Sequence, residues 1–78
     1  MGTLPNIVKT FRENTKREMV LRGISQAELA KRLQITPASV SIMLADSDKW
    51  RPGLDTVQKV ADAIGISPAA ILLIPRYD

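Results

Sequence analysis

Between Ser25 and Ala45 the chain carries two brief apolar-periodic segments, separated only by Gln34-Ile35-Thr36. Helices this short do not persist alone, because nucleation is costly and a few turns return few hydrogen bonds. They must therefore lean on each other and on the rest of the chain. Ser25 with Glu28 forms a capping box that starts the first segment. Leu29, Ala30 and Leu33 then share one face, while Glu28, Lys31 and Arg32 point outward. Thr36 is placed to cap the second segment, and Pro37 suits a first helical position. Val40, Met43 and Leu44 make the inner face of that helix. Ala30 is small where the second helix must approach, and Val40 is stiff and compact opposite it, so the two can cross closely.

The other side of the second helix carries Ala38, Ser39, Ser41, Ile42 and Ala45, all slim and uncharged. Such a face fits a narrow space of the width of the DNA major groove. The run S-Q-x-x-L-A-x-x-L-x-I-T-x-x-x-V-S over Ser25–Ser41 resembles the helix-turn-helix of the lambda-repressor-like family, the phage repressor and Cro proteins and their bacterial relatives. The match covers the helix start, the small residue and the core positions. It implies an all-α fold, a compact five-helix domain with the helix-turn-helix at 26–45.

The remainder of the chain agrees with that architecture. Seventy-eight residues are enough for one domain with a modest core, so 1–78 reads as a single unit. Residues 4–22 read as a helix with Pro5 near its start and Gly23 as its stop. Leu4, Val8, Phe11, Thr15 and Met19 face inward by spacing. Lys9–Glu13, Glu13–Arg17 and Glu18–Arg22 are opposite charges four apart. Asn14 and Thr15 weaken this helix, and Thr10–Glu13 and Thr15–Glu18 are competing capping boxes that allow a break there. Relatives begin their first helix near Phe11, which makes 1–10 an N-terminal extension. Ile24 should be buried. A polar loop, Asp46 to Gly53, precedes a helix from about Leu54 to Ile64 with Val57, Val60, Ala61 and Ile64 inward and Gly65 ending it. A last helix starts at Ser67-Pro68 and runs roughly to Leu73, leaving 75–78 as a tail.

Composition narrows the chemistry. The chain has no Cys and no His, which removes disulfides, thiolate nucleophiles, the usual zinc ligands and the commonest general base. No paired-carboxylate or activated-lysine spacing replaces them, so no enzyme, no metal, no cofactor and no small-molecule ligand is expected. No apolar run is long enough to cross a membrane. A net charge of +3 and a pI near 9.7 permit an anionic partner without demanding one. A cytoplasmic protein, on the nucleoid when bound, is the location consistent with these features.

The resemblance implies double-stranded DNA as partner and supplies candidate contacts. Gln26 stands where relatives use a glutamine to reach a phosphate, at a helix start whose free N–H groups point the same way. Lys49 and Arg51 lie in the loop that relatives lay along the phosphate backbone. Thr36, Pro37, Ala38, Ser39, Ser41 and Ile42 are the positions that meet the groove. Base reading is usually done by Arg, Lys, Gln or Asn, and none stands there; Ser39 and Thr36 offer single hydroxyls, Ala38 and Ile42 only apolar contact with thymine methyls. Modest base discrimination with a larger share from DNA shape follows. Trp50 is expected to pack as a lid on loop and core. Two departures from the family pattern are informative. Gln34 replaces the glycine common in the turn, so it should adopt φ > 0 at roughly 1 kcal/mol. Met19 and Leu44 stand where relatives often pair an arginine with a glutamate, an exchange that removes a desolvation cost along with the pair.

Ile71, Leu72, Leu73 and Ile74 are consecutive apolar residues on a short helix, and one face alone cannot bury them all. Ile71, Leu73 and Ile74 are the expected interface of a homodimer, which would set two recognition helices about one DNA turn apart on a near-palindromic operator. The function so implied is a Cro-like or controller-like repressor. The alternative is a domain of the same fold used for protein–protein contact, or an antitoxin that binds both operator and toxin.

Overall fold

The computed structural model describes residues 7–45 and 50–72. Five α-helices follow in order: α1 Ile7–Arg22, α2 Gln26–Leu33, α3 Pro37–Leu44, α4 Leu54–Ile64 and α5 Pro68–Leu72. No strand occurs among the described residues, and the domain is all-α as expected. The central pair forms as its caps require: Ser25 Oγ accepts from Glu28 N at 3.0 Å, and Thr36 Oγ1 accepts from Ser39 N at 3.2 Å. Ala30 and Val40 are buried where α2 and α3 meet.

One core serves all five helices. Phe11, Leu29, Val40, Val60, Ala61 and Ile71 are completely buried, with Met19, Ile24, Met43, Leu44, Val57 and Ile64 around them. Met19 and Leu44 line one cleft with Ile24, at the junction of α1, α2 and α3. Leu33 is only half-buried and packs on the edge of this core. Trp50 lies over it as expected, its ring centroid 6.4 Å from that of Phe11.

α1 is unbroken from Ile7 to Arg22, so residues 7–10 of the expected N-terminal extension are helical. The two side chains that threatened a break have partners that leave the helix intact. Thr15 Oγ1 donates back to Phe11 O at 2.7 Å, and Asn14 Nδ2 donates to Ile71 O at 2.8 Å. Both residues are buried, as is Arg12; the spacing had placed only Thr15 inside. Arg17, expected to pair with Glu13, donates to Asn14 Oδ1 at 2.9 Å. The Glu18–Arg22 pair forms at 3.1 Å.

Three helices end in the same way, with a left-handed residue whose follower bonds back to the last turn. After α1, Gly23 has φ 67° and Ile24 N donates to Met19 O at 2.8 Å. After α4, Gly65 has φ 95° and Ile66 N donates to Ala61 O at 3.0 Å. After α2 the left-handed residue is Gln34, φ 58°, and Ile35 N donates to Ala30 O at 3.0 Å. The turn thus keeps the backbone that glycine would favour without having the glycine.

Two arginines from different helices close the C-terminus of α4. Arg22 Nη1 donates to Ile64 O at 3.2 Å and Arg32 Nη1 to Ala63 O at 2.9 Å. These carbonyls have no partner within their own helix, and a guanidinium also suits the negative end of the helix dipole. α1 and α2 are thereby tied to α4, which fixes the platform on which α3 sits.

Candidate nucleic-acid interface

α3 presents its outer face to solvent. Pro37, Ala38, Ser39, Ser41 and Ile42 are all exposed, as is the cap Thr36, and Ile42 keeps 58% of its surface. No charged residue lies between Pro37 and Ala45. The inner face (Val40, Met43, Leu44) is buried, so the helix cannot rotate to offer another side without emptying the core.

Hydrogen bonds decide what the outer face can offer. The hydroxyls of Thr36 and Ser39 lie 2.9 Å apart and share one hydrogen, while Thr36 Oγ1 also accepts from Ser39 N. One O–H of the pair remains for an outside acceptor. Ser41 Oγ donates to Gln26 Oε1 at 2.9 Å across the α2–α3 junction, so its only hydrogen is already engaged. Gln26 then has its oxygen bonded and, among the described residues, no acceptor for either Nε2 hydrogen, which suits it to an anionic acceptor. Gln26 N and Ala27 N, in the first turn of α2, reinforce that polarity, since only Glu28 N is taken by the cap.

The cations sort in the same way. Arg17, Arg22 and Arg32 are held by Asn14, by Glu18 and Ile64 O, and by Glu28 and Ala63 O respectively. Arg51 is exposed, two residues before the N-cap Gly53 of α4, and has no ion-pair partner among the described residues. Lys16 is exposed and unpaired there too, and it lines the same cleft as Gln26. Lys16 was not singled out from the sequence. Its approach to Gln26 depends on how α1 crosses α2, which no local pattern encodes.

Lys49, Leu73 and Ile74 lie outside the described residues, as do Leu4, Asp46, Asp48 and the tail 75–78. Ile71 requires a correction. It is completely buried against the domain's own core and so is not an interface residue of the folded chain. α5 turns Ile71 onto the core.

A family model described as helix-turn-helix matches residues 15–71. The chain belongs to the lambda-repressor-like helix-turn-helix family. Among solved structures it is similar to a hypothetical transcription factor, NHTF, from Neisseria. The two share 27% identity with a TM-score of 0.79, over 96% of this chain and 87% of that one. No curated protein matches. Family and neighbour together support a DNA-binding transcriptional regulator. Among the described residues, no helix is long and apolar enough to cross a membrane.

Proposed function

We propose that this helix-turn-helix protein is a Cro-like or controller-like repressor that lays α3 in the major groove of a near-palindromic operator. Thr36, Ala38, Ser39 and Ile42 meet base edges and thymine methyls, with Pro37 at the helix entrance. Gln26, Arg51 and Lys49 hold phosphates on either side. The observation that carries this reading is an outward face of α3 that is slim and uncharged, bonded through Ser41 to Gln26, which shares a cleft with Lys16, a residue without an ion-pair partner among the described residues. A homodimer joined through Leu73 and Ile74 would give the two-fold operator its second half-site.

Salt titration tests the roles. Each neutralised phosphate contributes about −0.9 to the slope of log K against log salt. Arg51→Ala should weaken binding to all sequences alike and flatten that slope by roughly 1, whereas Ser39→Ala or Ile42→Ala should alter sequence preference. The reverse pattern would exchange the assignments.

A second reading has one observation in its favour. Ile42 is a large apolar side chain, exposed on a helix with no bidentate base-reading residue, which also suits a protein partner such as a toxin. Binding to random-sequence duplex that falls steeply with salt favours the repressor; binding that is absent at low salt favours the protein partner.

A further inference from the structure

We propose that Ser41, although it sits on the recognition helix, is a positioning residue for the phosphate contact of Gln26 and not a reader of bases. The inference rests on the DNA-binding reading above and assigns one residue within it a different task. Ser41 Oγ stands 2.9 Å from Gln26 Oε1 and donates to it, joining the fifth residue of α3 to the first residue of α2 across 15 positions of sequence. The hydroxyl has a single hydrogen, and that hydrogen is engaged inside the molecule.

Two consequences follow. An unrestrained glutamine amide presents its oxygen and its nitrogen to an approaching phosphate equally, and the oxygen end repels it. With Oε1 held by Ser41, the Nε2 end is turned outward, so the donor is set before DNA arrives and less side-chain freedom is lost on binding. The same bond links register on the backbone to the seating of α3, since Gln26 meets its phosphate only when α3 carries Ser41 alongside. The groove face is correspondingly reduced to Thr36, Ala38, Ser39 and Ile42.

The test is a double-mutant cycle on Ser41→Ala and Gln26→Ala, with Ser41→Thr as the variant that keeps a hydroxyl. Affinity is measured for a random-sequence duplex and for a sequence selected by the parent protein. Gln26→Ala should weaken binding to both duplexes by roughly tenfold, the loss expected for one hydrogen bond to a charged group. Ser41→Ala should weaken both by about threefold with the ratio between duplexes unchanged. The double variant should be no worse than Gln26→Ala, and Ser41→Thr should restore most of the loss. Nuclear magnetic resonance of the free protein supplies a readout independent of DNA: the Gln26 side-chain amide should be ordered in the parent and mobile in Ser41→Ala. Additive losses, a changed duplex ratio for Ser41→Ala, or an amide equally mobile in both proteins would each overturn the proposal. A parent that binds no duplex while its Gln26 amide is ordered would instead remove the DNA-binding reading and leave the Ser41–Gln26 link standing as a structural one.

Discussion

Gln34→Gly should make this protein more stable, and the structure gives the size of the effect. Gln34 has φ 58° and ψ 42°, the left-handed region, where an L-residue with a Cβ is strained by about 1–2 kcal/mol. Its side chain is exposed and takes no hydrogen bond among the described residues, so the substitution removes little else. The backbone bonds that define the turn, Gln34 N to Lys31 O at 3.2 Å and Ile35 N to Ala30 O at 3.0 Å, need no side chain. Glycine also loosens the unfolded chain, which offsets about 0.4–1 kcal/mol. The net gain is about 0.5–1 kcal/mol, or a rise in melting temperature of about 2–8 °C for a domain of this size. Thermal unfolding followed by circular dichroism measures it directly, with two internal controls. Gly23→Ala places a Cβ at φ 67° with nothing within 4 Å, so it should lose about 1 kcal/mol from backbone strain alone. Gly65→Ala should lose more, because its Cβ also meets Arg22 Nη1 at 3.3 Å, where that arginine caps α4. A lower melting temperature for Gln34→Gly, or no loss for Gly23→Ala, would refute the strain argument.

Two further outcomes test packing and assembly. Asn14→Ala leaves the fully buried Ile71 carbonyl without its 2.8 Å donor and should reduce unfolding stability by about 2–3 kcal/mol, read as a lower urea midpoint at unchanged slope. A loss under half that size would mean α5 is held by apolar contact alone. Leu73→Glu or Ile74→Glu should shift a dimeric parent to monomer in sedimentation, and an unchanged mass would remove this surface as the dimer interface.

Most of the fold was legible in order along the chain, and the reason is range. Capping by Ser25 and Thr36, Pro37 at a helix start, and glycine after α1 and α4 all act within a few residues. The left-handed Gln34 was legible through the family resemblance, because it stands where relatives place a glycine. The buried Asn14 and Arg12 were not among the inward positions given by apolar spacing, although Asn14 lies three positions after the buried Phe11 and thus on its face. The candidate interface was legible as a set of positions but not as a set of donors, since free and engaged hydroxyls look alike in a sequence.

The amino-acid order alone determined five helical segments, the boundaries between them, the crossing of the central pair through Ala30 and Val40, and the bland outward face of α3. The tertiary structure decided which polar groups are spoken for. Asn14 finds a carbonyl 57 residues away, Arg22 and Arg32 find the end of α4 at separations of 42 and 31, and Ser41 finds Gln26 at 15. It also decided that Ile71 faces the core. Periodicity and capping are properties of neighbours a turn apart, whereas a hydrogen bond between helices exists only once packing has brought two distant surfaces within 3 Å or so of each other.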